Sequence, residues 1–239
     1  MNSSNNERRL FYIVGPDSRK NPSDFEFVNK PDALINTPFP NAYVWAGSHK
    51  YQIEGFKAPS SFGIPHLRTK PALVVGVDAD ELLDFYGLGM RYVSTRAKDL
   101  LCQIDPDAFE FAECATVDGA GRPVEPYWMM AVIRVVDQFD EDRSDVIWCR
   151  DYFSDEPEQA DNPLLCRLND VFFPSVSPKA HAFYLLRYRG GFIFDAVLAD
   201  AWREAGLKGA LFTPLQQPSA EEMSDADSFR NYPYWSKRG

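Results

Sequence analysis

The stretch that decides the fold is Tyr127–Asp145, YWMMAVIRVVDQFDEDRSD. Nine of its first ten residues are apolar, the exception being Arg134, and the chain then runs into Asp137, Asp140, Glu141 and Asp142. An apolar run this short, entered after a proline and left through acids, reads as a strand buried on both faces. A strand that leaves the core into a charged loop holds that loop at the surface. The loop then serves as a solvated turn or as a recognition surface, and nothing in it carries a catalytic signature.

On either side of this strand lies a strand–helix–strand pattern. Upstream, Tyr92-Val93-Ser94 leads into a helix over about Thr95 to Ile104, with Ala97, Leu100, Leu101 and Ile104 on one face. Pro106 ends it, and Ala108–Cys114 alternates as a strand. Downstream, Phe192–Phe194 leads through Asp195 into a helix carrying Val197, Leu198, Ala201, Trp202 and Ala205. Gly206 is the natural residue to follow its last turn, and Ala210–Phe212 forms the next strand. A shift of 101 residues lays Ala97 on Leu198, Leu101 on Trp202, Ile104 on Ala205 and Phe111 on Phe212. The match is one of pattern only.

Further strands are expected at Leu10–Val14, Tyr43–Trp45, Tyr51–Phe56, Ala72–Val77, Val146–Arg150, Leu164–Phe173 and Ala182–Arg187. Asp78 and Glu81 have the spacing of a capping box, opening a short helix through Leu82, Leu83 and Phe85 to Gly87. These elements make a single α+β domain, its sheet mixed or mostly antiparallel with helices packed on it. Its expected bounds are 10–216, of which 10–71 is rich in proline and loops. A polar leader, 1–9, precedes it, and an aromatic tail, 217–239, docks on the body.

Composition narrows the function. The chain has 239 residues, 45% hydrophobic, enough to bury a sizeable core. No apolar run approaches the roughly 20 residues of a membrane span, and no secretory leader is evident, so a cytoplasmic protein is expected. Cys102, Cys114, Cys149 and Cys166 are widely spaced and read as reduced thiols. Three histidines, His49, His66 and His181, are too scattered for a metal site, and no cofactor motif occurs. The formal charge of −10 disfavours nucleic acid and anionic membranes as partners and permits a basic protein. No nucleophile–base arrangement or phosphate loop is present, so the chain is not expected to be an enzyme. A hydrolase with paired carboxylates is the alternative, and an interaction protein of another kind a third reading.

The one marked charge feature spans Asp137 to Asp161. Ten carboxylates (Asp137, Asp140, Glu141, Asp142, Asp145, Asp151, Asp155, Glu156, Glu158 and Asp161) stand against Arg143 and Arg150. Their spacing does not make a calcium loop. They are either solvated loops between strands or a surface that steers and holds a basic partner.

Several short motifs carry a resemblance. They are Asp84-Phe85, Tyr92-Val93-Ser94 with Ala97, Leu100 and Leu101, Val132–Asp140 (VIRVVDQFD), Phe192–Asp195, Leu198, Ala205-Gly206-Leu207 and Gly209–Pro214 (GALFTP). Over residues 70–216 the chain resembles the eleventh immunity-protein family of bacterial polymorphic toxin systems. It departs in having Phe194-Asp195 where a Val-Ser pair is usual, and the acidic loop 151–163 has no counterpart. The resemblance implies an α+β protein encoded beside a secreted toxin, which neutralises that cognate toxin by binding and brings no catalytic residues. It also implies that Asp137 anchors the turn after its strand.

Overall fold

The computed structural model describes residues 9–17, 25–27, 64, 69–75, 82–87, 90–136, 139–149, 164–186, 188 and 191–216. The strands expected at 43–45 and 51–56, the caps Asp78 and Glu81, the leader and the tail lie outside these residues. In chain order the elements are β1 (Phe11–Pro16), β2 (Phe25–Phe27), β3 (Ala72–Val75), β4 (Phe85–Tyr86), β5 (Arg91–Ser94), α1 (Thr95–Ile104), β6 (Phe109–Glu113) and β7 (Ala115–Asp118). They continue with β8 (Tyr127–Val132), β9 (Val135–Val136), β10 (Asp145–Cys149), β11 (Leu164–Asp170), β12 (Ala182–Leu185), β13 (Phe192–Asp195), α2 (Ala196–Glu204) and β14 (Ala210–Pro214). The fold is α+β with mixed and antiparallel sheets, as expected, and it is mostly sheet.

Two sheets form the body, one of order β4-β5-β8-β6 and one of order β14-β1-β13-β12-β9. Period-2 alternation sends the residues of each strand to two different cores. Phe85, Val93, Phe109, Met130 and Val132 of the first sheet meet Val14, Ala182, Tyr184, Phe192 and Phe194 of the second in one cluster. The buried sides of both helices, Ala97, Leu101, Leu198 and Trp202, complete it. On its other face the first sheet packs Tyr86, Tyr92, Tyr127 and Met129 against Leu73 and Val75 of β3. There β3 sits between β2 and β7 in a small sheet. The second sheet's other face, Phe11, Phe183, Leu185 and Ile193, packs on Leu165, Leu168, Val171 and Phe173. Phe11, Phe173 and Phe183 meet edge to face there, with centroids 5.0 to 5.7 Å apart.

The run from Tyr127 is central, but it is two strands. β8 lies between β5 and β6, antiparallel to both. At Ile133-Arg134 the chain crosses over, and β9 pairs in parallel with β12 of the other sheet. Arg134, the one charge in the apolar run, sits at the crossing. Its guanidinium binds both oxygens of Asp105, which follows α1, and its Nη1 also donates to Ala182 O at 3.1 Å. Asp105 is 2% exposed, and its Oδ2 accepts from the amides of His181 (2.7 Å) and Ala182 (3.1 Å). One carboxylate therefore ties the end of α1, the crossover and the start of β12.

Both helices begin and end as their sequences predict. Ser94 caps α1 through Ala97 N, and Asp195 caps α2 through Leu198 N. Gly206, at φ 65°, closes α2, with Leu207 N donating to Trp202 O at 3.2 Å. The short helix expected through Leu82, Leu83 and Phe85 is not formed. Phe85 and Tyr86 instead pair with Val93 and Tyr92 as β4. Distant bonds hold this stretch: Asp84 accepts Ser94 Oγ at 2.6 Å and Lys208 N at 2.9 Å. β7, a strand not expected from the sequence, forms by parallel pairing with β3.

Asp105→Ala leaves the Arg134 guanidinium and two amides without their acceptor. Removing one partner of a buried pair costs on the order of 3 kcal/mol. Equilibrium denaturation is expected to show that loss with an unchanged m-value. Burial also holds the Cys114 thiol up, to about 11 from an ordinary 9.0, and raises the Tyr92 and Tyr127 hydroxyls. The unfolded chain therefore releases these protons first. The stability these groups contribute is fully present below pH 9 and is lost as pH rises through about 11, which pH-dependent thermal melts check.

Candidate interaction surface

The acidic turn is built from residues that fasten it to the second sheet's outer layer. Apolar positions in β10 and β11 put Val146, Trp148, Leu165 and Leu168 on the core side of a two-stranded ribbon. Its other side shows Ile147, which is 46% exposed, opposite exposed Arg167. Before β10 the chain makes a turn that is pinned at several points. Asp140 N donates to Phe172 O (2.9 Å), and Phe172 N donates to Ser144 Oγ (3.0 Å). Ser144 Oγ donates in turn to Asp140 O at 2.5 Å, and Asp140 Oδ1 accepts Arg143 N at 3.1 Å. The Arg143 guanidinium lies over the Phe172 ring, 3.6 Å from its centroid.

This scaffold divides the sequence-predicted acids by role. Asp140 is half-buried and holds the turn, whereas Glu141, Asp142 and Asp145 are exposed. Asp145 accepts Asn169 Nδ2 at 3.1 Å. Asp137, Asp151, Asp155, Glu156, Glu158 and Asp161 lie outside the described residues. The ladder adds one acid that sequence reasoning passes over: Asp170 pairs directly with Asp145. Two carboxylates opposite each other repel, so the ribbon concentrates negative charge at this end. The strand itself was legible at Leu164–Phe173. Its register against β10, with two irregularities, was not.

The buried carboxylates have other work. Asp195 is fully buried and its Oδ2 receives Arg9 Nε (3.0 Å), Arg9 Nη2 (2.8 Å) and His181 Nδ1 (2.8 Å), while Oδ1 caps α2. Asp84 and Asp105 are likewise held by the bonds described above. Among the described residues no three His, Cys, Asp or Glu side chains are grouped to hold a metal ion. No described helix is long and apolar enough to cross a membrane. Cys102 and Cys114 are free thiols.

No curated protein matches the chain. The family model described as "Immunity protein family (Imm11)" matches residues 11–217, which takes in every strand from β1 to β14. That span agrees with the resemblance and extends it over the N-terminal third, where the short motifs had not reached. The chain belongs to the Imm11 immunity protein family.

Proposed function

We propose that this protein binds a cognate toxin domain of a bacterial polymorphic toxin system and neutralises it, protecting the cell that makes both. The observation that carries the reading is the family match across residues 11–217. The protein acts by occupying a surface of the toxin and not by chemistry of its own. Consistent with that, Asp84, Asp105 and Asp195 are engaged by structural donors instead of facing one another as an acid and base. The toxin works in the cytoplasm, and the immunity protein meets it there.

The contact surface we assign is the acidic one: Glu141, Asp142 and Asp145 with Asp140 behind them, joined by Asp137, Asp151, Asp155, Glu156, Glu158 and Asp161. A pinned turn suits this use, because a preorganised surface loses little entropy on binding. Its charge speeds encounter with a basic partner, such as the substrate groove of a nuclease, and salt screens that attraction.

Co-expression with the toxin encoded beside this gene is expected to restore growth, and the two proteins to purify together. Glu141→Lys, Asp142→Lys and Asp145→Lys combined should weaken the complex about tenfold or more through the association rate, and flatten its salt dependence. Asp140 is left in place because it holds the turn. Ser144→Ala, which loosens the turn without changing charge, should speed dissociation and keep the salt slope. Growth rescue with affinity and salt slope unchanged in the triple variant would leave the function standing and remove this surface. Failure of rescue by the wild-type protein would remove the function itself.

A further inference from the structure

The 101-residue correspondence extends well past the two strand–helix–strand units. Adding 101 carries β5, α1 and β6 onto β13, α2 and β14, with cap Ser94 falling on cap Asp195. In each sheet the two strands joined by a helix run parallel, and a third strand lies antiparallel between them. That middle strand is β8 in the first sheet and β1 in the second. Their registers agree throughout. Ser94 pairs with Tyr127 as Asp195 pairs with Phe11, and Glu113 pairs with Trp128 as Pro214 pairs with Tyr12. Past the closing strands, Cys114 N donates to Tyr127 O at 2.8 Å as Leu215 N donates to Phe11 O at 2.9 Å.

The outer strands correspond too. Phe85 and Tyr86 pair with Val93 and Tyr92, as Ala182 and Phe183 pair with Phe194 and Ile193. The residue before each outer strand accepts the amide of the helix cap: Ser94 N donates to Asp84 O (3.1 Å), and Asp195 N to His181 O (2.9 Å). The side chains of the same pairs also bond, Ser94 to Asp84 and Asp195 to His181. The outer layers match in part: the first sheet's far face packs on β3, paired antiparallel with β2 and also carrying β7, and the second's on the antiparallel pair β10–β11.

Read along the chain, the order in 11–113 is single strand, antiparallel pair, outer strand, inner strand, helix, strand. The same order recurs in 127–214, with β9 as an addition. We infer that the domain is a tandem duplication in which the two repeats have exchanged their first strands. β1 opens the first repeat and completes the second repeat's sheet, while β8 opens the second and completes the first's. Two reciprocal clasps accompany the exchange. Asp105, after the first helix, accepts His181 N of the second repeat, and Lys208 O, after the second helix, accepts Asp84 N of the first at 2.9 Å. Helix to helix, Arg96 Nη2 reaches Ala205 O at 2.9 Å.

Exchange makes each repeat incomplete without the other, and a cut between them tests it. A protease site in the exposed Gly119–Gly121 turn separates the repeats covalently once the full chain has folded. The cleaved protein is expected to elute at the size of the intact chain and to come apart only in denaturant. Hydrogen exchange should then show crossed effects. Ile13→Ala, in the first repeat, should raise exchange about tenfold or more at 192–195 and 210–214 of the second. Met129→Ala, in the second repeat, should do so at 91–94 and 109–113 of the first. Fragments that elute separately with protected strands, or effects that stay within each variant's own repeat, would overturn the inference. The cleavage arm needs no change in the core, so it stands if either variant fails to fold.

Discussion

The structure turns on one buried ion pair at the place where the chain changes sheets. A strand that ends in the middle of a core must either reverse at the surface or cross to another sheet. Crossing exposes backbone groups that no ladder satisfies. At Ile133-Arg134 the Asp105 carboxylate and the Arg134 guanidinium answer that need: one accepts the amides that open β12, the other donates to Ala182 O. Charged groups pay a desolvation penalty for burial, and a pair is retained only where its remaining donors and acceptors are satisfied. Here they are, which lets one apolar run serve two sheets.

The consequence, among the described residues, is that neither main sheet turns a whole face to solvent. One face of each packs in the shared cluster with the helices, and the other packs on an outer layer, β3 in its small sheet or the β10–β11 pair. Among the described residues the buried carboxylates lie at the ends of helices and strands. Asp84, Asp105 and Asp195 are of this kind, and Arg9 and His181 bring Asp195 its counter-charge and donor. These three aspartates are among the four buried carboxylates of the described residues, and in an acidic chain they invite a catalytic reading until their partners are traced. Each has donors from two or more elements, so each fixes a junction.

Periodicity made much of this legible. Ala97, Leu101, Leu198 and Trp202 repeat at helical spacing and all four are buried, and Gly206 ends α2 as its position suggests. What the sequence could not reveal was pairing. The 101-residue shift was visible as a weak pattern, yet the decisive facts are the matching registers of β1 and β8, where Phe11 pairs with Asp195 as Tyr127 pairs with Ser94, and these two strands share no obvious motif. Local signals also misled where distant bonds prevail, as at Phe85, whose neighbour Asp84 is held by Lys208 far along the chain. Of the acidic surface, sequence located the carboxylates but not Phe172, whose ring and backbone pin the turn.

Duplication gives a reason why recognition would sit on the outer pair and not on the body. In both repeats the sheets, helices and caps answer the same geometric demands, and the clasps tie one repeat's helix end to the other's outer strand. The antiparallel pair is attached by one apolar face, and its other side is bound by no such demand. In β10–β11 that freedom shows as an exposed Ile147 and Arg167 and as like charges at Asp145 and Asp170. Like charges facing each other across a ladder work against the pairing of their own ribbon. Their presence is more economically explained by what the ribbon meets than by what it holds together.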